Sequence, residues 1–464
     1  MSGALLIRNV EIEGRTSLDV RIEAGRIAEI GPRLHGRGAE LDGKGGALLP
    51  GLADHHIHIL ALAARQDSVD LSGVTLADDM ASRIAAAATA RPEGAWIRAI
   101  GYHERMAGDL ARRELDLLAP RHKLRLQHQT GSLWMLNSAA LDSLGSDLGT
   151  CVERDGQGRP TGRIWRGDAW LRQRIGAQVP PLAPVGRQLA AFGVTALTDA
   201  SVSTDAAAAD ILADAVRSGA LPQRLTLMSG GPLSAPADGA FAVGPLKILL
   251  DDHDLLDLDL FAERIALARR LGRSVAVHCV TVGELALTLA AFDMAGVRPG
   301  DRIEHGGLIP PVSIGQIRDL GLVVVTQPAF VLERGDRYLA EVAVGEHEDL
   351  YRCGSLLAAG VPVAASSDAP YASPDPWRGV QTAIERRSLS GRSLGVQEGV
   401  SAEAALGLYL DEPAAPGRVR RNVTLGAAAD LCLLEAPRAP ALAEPGAVQV
   451  AATIIGGRVV YDRA

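Results

Sequence analysis

Cysteine is scarce in this chain of 464 residues: there are four, Cys151, Cys279, Cys353 and Cys432. They lie far apart and no CxxC pair occurs, which excludes a disulfide framework and a zinc knuckle. Long apolar runs are missing too. No window of about 18 apolar residues is present, so no membrane span is expected. The opening "MSGALLIRNVEIEG" has neither a basic leader nor a long apolar core and does not read as a signal peptide. A reducing cytoplasm is the expected location. Positive charge is outnumbered, with 47 Lys and Arg against 55 Asp and Glu, and the net charge of -8 argues against nucleic acid as a partner. Aromatic residues make up only 3%. What the chain does have is glycine. Its 51 glycines are scattered without a period, which suits a fold with many tight turns between strand and helix.

The length is too great for one small core and predicts a large domain with a smaller one, or two medium domains. Both ends read as short strands. "ALLIRNVEIEG", "SLDVRIEAGRIAEIG" and "AELDGKGGALLP" at the front alternate with period two, as do "ADLCLLEA" and "VAATIIGGRVVYD" at the back. Neither end alone has enough strands to bury a core, so the expectation is one small β-sandwich made by residues 1–50 and 418–464 together. Between them, near-continuous apolar runs alternate with helical patterns: "LADHHIH", "GVTALTD", "RLTLMSG", "LKILLDD", "SVAVHCV", "RIEHGG", "LVVVTQP" and "VPVAASSD". Such runs suit parallel strands buried on both faces. Eight of them predict a (β/α)8 TIM barrel over residues 51–417. A stretch from 65 to about 190 exceeds any single connection and reads as an insertion after the first barrel strand, with its own strands "WIRAIGY" and "KLRLQHQ".

Chemistry in such a barrel sits at the C-terminal ends of the strands. Polar groups gather there in this sequence: His56 and His58, Asp199, Lys247 and Asp251, His278, Glu304 and His305, Gln327, and Asp368. Three of the chain's 11 histidines fall within "HHIH". Residues two apart on a strand face the same side, so His56 and His58 can bind one ion while His55 points into the helical shell. Asp54 shares the face of the pair and is expected to accept a hydrogen bond from a ligand imidazole. Glu304 alternates outward relative to His305 and is expected in a salt bridge, either at the surface or just behind the ligands. Asp199 and Gln327 suit either a structural hydrogen bond or a substrate contact, and Asp368 in "AASSDAP" suits either a helix N-cap or catalysis.

These residues resemble the amidohydrolase superfamily: "PGLADHHIH", His278, His305 in "RIEHGG", Asp368 in "SSDAP", and the terminal "TLGAAADLCLLE" and "TIIGGRVVYD". The stretches "GVTALTDAS", "LWMLNSAALDSLG", "VVVTQPAF" and "SSDAPYASPDPWRGVQTAIERRS" are similar to its amidohydrolase-3 branch, which includes N-substituted formamide deformylases. One departure stands out. Where the branch has Asp-Gly-His before the "NSAAL"-like run, this chain has Thr130-Gly131-Ser132, with His128 slightly upstream.

The resemblance implies one or two divalent metal ions per chain, held among His56, His58, Lys247, His278, His305 and Asp368. Zinc suits imidazole and carboxylate donors best, with iron, manganese and cobalt as alternatives. It implies that Lys247 is carboxylated and bridges two ions. The expected reaction is hydrolysis of a non-peptide C–N bond in a small molecule, an amide, formamide, carbamate or cyclic amide, by a metal-activated hydroxide. Asp368 is the expected proton shuttle and His305 a second catalytic group; if only one ion is bound, His305 or His278 could instead stabilise the oxyanion. Substrate contacts are expected from Tyr102, His103, His128, Trp134 and Gln327. The alternative is a mononuclear aminohydrolase acting on a cyclic amidine, which needs a glutamate soon after His278, and Glu284 is the first available. A non-catalytic scaffold is the third reading. The sequence is compatible with a homo-oligomer.

Overall fold

The computed structural model describes residues 4–36, 38–176, 179–251 and 255–463. Eight parallel strands form one sheet: β1 (Leu52–Ile57), β2 (Val194–Asp199), β3 (Arg224–Ser229), β4 (Ala242–Ile248), β5 (Val275–Cys279), β6 (Arg302–His305), β7 (Val323–Thr326) and β8 (Val363–Ala365). Each pairs with the next in parallel from β1 to β8. The ring is drawn shut just beyond the ladder. Asp368 N–H donates to the carbonyl of His56 and His58 N–H to that of Ala369, both at 2.8 Å. The fold is the (β/α)8 barrel that the strand runs imply. Several of its helices begin where side chains supply caps. Asp205 caps Ala206–Arg217, and Asp257 caps Leu258–Arg270. Thr281 and Glu284 form a reciprocal capping box on Val282–Ala295, satisfying backbone donors that the first helical turn leaves open.

The two chain ends meet as expected. One antiparallel sheet holds Leu5–Ile12, Arg15–Glu23 and Arg26–Gly31, with Ala39–Asp42 added in parallel. A second holds Leu431–Leu434, Val450–Ile455 and Arg458–Asp462 together with Leu48–Pro50 from the front of the chain. Alternate residues of both sheets fill one apolar core, including Ile7, Val20, Ile22, Leu48, Leu431, Leu433 and Ile454. Gly46 shows how closely the ends fit. A Cβ there would lie 1.9 Å from the Leu434 carbonyl oxygen. Gly46→Ala is therefore expected to destabilise the protein by about 1–3 kcal/mol, the usual cost of overpacking, read as a lower unfolding midpoint in denaturant.

The chain divides into two compact units, Met1–Ile59 with Leu182–Ala464, and Leu60–Pro181. The second starts and stops somewhat earlier than the insertion expected from the sequence. The helix Ala183–Ala191 leads into β2, and its Ala190 carbonyl accepts from the Thr453 hydroxyl at 2.6 Å, so it belongs with the barrel and sandwich. Within Leu60–Pro181 a six-stranded sheet contains Trp96–Tyr102 and Lys123–His128. No helix among the described residues is long and apolar enough to cross a membrane.

Candidate metal centre

Five of the six expected ligands lie together at the C-terminal end of the barrel. His56 and His58 face one another with ring centroids 5.3 Å apart. His305 ends β6, and its ring centroid is 4.7 Å from that of His56 and 4.5 Å from that of His278. Asp368 follows β8 in a left-handed conformation (φ 54°). It is not a helix cap, since Asp375 caps the helix Pro376–Glu385. Its Oδ1 is 3.1 Å from His58 Nε2 and 3.4 Å from His56 Nε2, and its Oδ2 is 4.0 Å from His305 Nδ1. The sixth, Lys247 on β4, is buried, and its Nζ has no hydrogen-bond partner. In the ladder it stands opposite Ala276, two residues before His278 on β5.

The donor set fits a divalent ion. Among the described residues, His56, His58 and Asp368 offer ligand atoms that all lie within 4.8 Å of one another. Asp368 Oδ1 is buried and makes no hydrogen bond, because the nearby imidazole nitrogens are close but not aligned for one. A buried carboxylate oxygen without a partner is costly, and a cation removes the cost. Burial also drives the imidazoles toward the neutral form that binds metal. It holds His56 and His305 well below the usual histidine range and takes His278 to about 4.

Three of the four rings are steadied from behind. His58 Nδ1 lies 3.0 Å from Ser201 Oγ, and Ser201 N–H donates to Asp199 Oδ1 at 3.0 Å. Asp199 Oδ2 accepts from Ile59 N–H at 2.8 Å, which settles Asp199 as a structural acceptor. His305 Nδ1 lies 2.8 Å from Gln327 Oε1, and Gln327 Nε2 donates to Ser366 Oγ at 2.9 Å. Gln327 thus makes the structural hydrogen bond that was one of its two expected roles, and orients a histidine. His56 Nδ1 lies 2.5 Å from Glu304 Oε2.

That last contact corrects the outward placement of Glu304. Strict alternation fails at the end of β6 because His305 takes φ 69° and Gly306 φ 58°. Glu304 and His305 therefore both face the interior, and Glu304 is fully buried. Asp54 also differs from expectation. Its carboxylate accepts from His56 N–H, Ser367 N–H and the Ser367 hydroxyl, so it fastens β1 to the end of β8 and bonds no imidazole ring. His55 is buried with both ring nitrogens unpartnered, and burial takes it to about 3, the state of a neutral core histidine.

The remaining expected substrate contacts fall within the Leu60–Pro181 unit. Tyr102 is buried in that unit's core, and its hydroxyl donates to the Gly108 carbonyl. Trp134 is buried in a second cluster there, with its indole N–H donating to Asp168 Oδ1 at 2.8 Å. Their polar atoms are taken up by internal bonds, so packing replaces the expected role. His103 Nδ1 accepts from Arg105 N–H at 3.1 Å as a helix cap, and His128 Nε2 lies 3.1 Å from Glu104 Oε2. In the departing Thr130-Gly131-Ser132 turn, Thr130 Oγ1 sits 2.8 Å from His128 Nδ1. The proton shuttle that deamination would require is engaged elsewhere. Glu284 Oε2 accepts from the backbone N–H of Val280 and Thr281, at 2.6 and 3.0 Å.

Residues 39–461 match the family model described as the Amidohydrolase family. The chain belongs to the amidohydrolase family. It is a metal-dependent hydrolase of C–N bonds, and the matching model is that of the amidohydrolase-3 branch. The N-substituted formamide deformylase of Arthrobacter pascens is 27% identical, over 98% of this chain and 97% of its own. The Arabidopsis thaliana protein LONG AFTER FAR-RED 3 is 23% identical, over 95% of this chain and 88% of its own. Among solved structures, an uncharacterized metal-dependent hydrolase from Pyrococcus furiosus superimposes with a TM-score of 0.71 at 21% identity, covering 88% of this chain and 93% of that one. The N-isopropylammelide isopropylaminohydrolase of Burkholderia multivorans gives 0.54 at 19% identity, covering 98% of both chains. These two likenesses are of fold. Within this amidohydrolase, the one polar contact that sequence alternation hid is the Glu304 carboxylate. Its signal is two opposite charges, Arg302 and Glu304, two residues apart on one barrel strand.

Proposed function

We propose that this amidohydrolase cleaves a small-molecule amide, formamide, carbamate or cyclic amide, with Asp368 moving the proton. The observation that carries the reading is the unpartnered, buried Oδ1 of Asp368 facing the Nε2 atoms of His56 and His58. His56, His58, His278, His305 and Asp368 would hold the metal, with zinc the best match to these donors. When bound, a divalent ion there supplies Lewis-acid polarisation of the carbonyl and makes water acidic enough to ionise near neutral pH. Asp368 accepts the proton of the attacking water and delivers it to the leaving nitrogen, so that the amine departs neutral. Gln327 takes the Nδ1 hydrogen bond of His305, which leaves the Nε2 lone pair of that ring free for the ion. Similarity to the Arthrobacter deformylase along nearly the whole chain favours N-formyl compounds among these substrates. The deciding experiment pairs metal analysis of the purified protein with a panel of N-formyl, N-acyl, carbamate and cyclic imide compounds. Hydrolysis of none of these by metal-loaded protein overturns the reading. Four free cysteines, three of them buried, suit work in a reducing compartment, and we propose the cytoplasm.

Lys247 bears on the number of ions. Burial lowers its affinity for a proton, and Nζ has no hydrogen-bond partner. The neutral amine can add carbon dioxide, forming a carbamate and releasing one proton, and the new anion can bridge a second ion. Metal uptake by stripped protein is accordingly expected to be faster or more complete with added bicarbonate, and Lys247→Met should abolish that dependence. Uptake indifferent to bicarbonate would leave a one-ion centre.

A further inference from the structure

Two charged side chains lie where a barrel strand normally carries apolar ones. Arg302 and Glu304 on β6 are 1% and 0% exposed. Arg302 Nε donates to Glu304 Oε1 at 2.5 Å, and its Nη2 donates to the carbonyl of His55 at 3.0 Å. The other oxygen of Glu304 faces His56 Nδ1. A guanidinium, a carboxylate and an imidazole thus form one buried chain, anchored at the backbone of the residue next to His56. Burying an ion pair is a poor way to gain stability, since apolar side chains of the same volume serve as well or better. Packing alone does not account for the arrangement.

We propose that Glu304 and Arg302 are positioning residues that make His56 a stronger imidazole donor than His58 or His305. The carboxylate takes the Nδ1 proton's hydrogen bond and so leaves the lone pair on Nε2, the nitrogen nearer Asp368. An anionic acceptor also makes the ring a better donor than a neutral one does. The guanidinium neutralises the carboxylate and pins it, through the His55 carbonyl, in register with His56. The contrast with the other rings is direct. His58 is backed by the Ser201 hydroxyl and His305 by the Gln327 amide, both neutral.

This inference rests on His56 being a ligand, and the test separates the two ideas. Full-length protein loaded with zinc is mixed with a chromogenic chelator, and the rate of zinc transfer is recorded beside the unfolding midpoint. Wild-type protein that carries no zinc would overturn the reading of the centre itself. If wild type carries zinc, Glu304→Gln is expected to release it at least ~10-fold faster, the usual cost of losing a ligand's supporting partner. Ser201→Ala, which removes a neutral partner, is expected to have the smaller effect. Folded Glu304→Gln that releases zinc at the wild-type rate, or no faster than Ser201→Ala, overturns the proposal. Glu304→Gln leaves Arg302 without its counter-ion, so the double variant Arg302→Met/Glu304→Gln, which removes both charges, decides the matter if the single variant does not fold. A measurement on the unaltered chain stands beside these. Nitrogen-15 spectra of histidine-labelled, zinc-loaded protein should show the His56 proton on Nδ1, and a proton on Nε2 overturns the proposal whatever the variants do.

Discussion

Asp368→Asn is expected to lower turnover at least ~100-fold while the fold and most of the metal remain. The substitution changes only the ability to take and give a proton; size and shape stay the same. The Asp368 backbone N–H still donates to the His56 carbonyl, so the barrel still closes beside it. An amide oxygen remains to face His56 and His58. What disappears is, among the described residues, the only carboxylate within reach of both imidazoles, 3.1 Å from one and 3.4 Å from the other. The check is kcat on the best compound of the panel, with metal per chain measured on the same sample. Near-normal turnover would remove Asp368 from the mechanism.

The second large effect is expected at the paired histidines. His56→Ala and His58→Ala should each empty or weaken the centre, by more than the ~10-fold expected when only a ligand's partner is lost. His58→Ala is the cleaner of the two, because its side chain is 21% exposed and leaves little cavity. His56→Ala opens a void at a fully enclosed position, although Glu304 keeps Arg302 as a partner. Metal per chain after gel filtration decides the point. Unchanged content in both variants would make the pair structural.

Most of the barrel was legible because its strands are buried on both faces. Burial turns each into a near-continuous apolar run, so "SVAVHCV" or "LVVVTQP" shows its polar tip plainly. The histidine pair was legible for the same reason, since spacing by two on a strand needs no knowledge of the turn that follows. The errors lie where the backbone leaves regular geometry. Glu304 was assigned outward because alternation was extended through His305, where the chain turns left-handed. Asp54 was assigned to an imidazole because its other suitor, Ser367, lies 313 residues away in the sequence. Tyr102 and Trp134 were candidates on residue type alone, and type does not reveal that a hydroxyl or indole is already bonded inside its own unit.

The clasp between Asp54 and Ser367 also governs when the protein can first become active. His56 and His58 emerge early in synthesis, but Asp368 and the hydrogen bonds that bring it to them come from the far side of the barrel. A ribosome-bound chain lacking the last barrel strand has the four imidazoles of His56, His58, His278 and His305 but not Asp368. Leu48–Pro50, just ahead of β1, meanwhile waits for Leu431–Leu434 to complete its sheet. Completion of the donor set is thereby a late event, and a chain cut short ahead of Asp368 is expected to lack turnover.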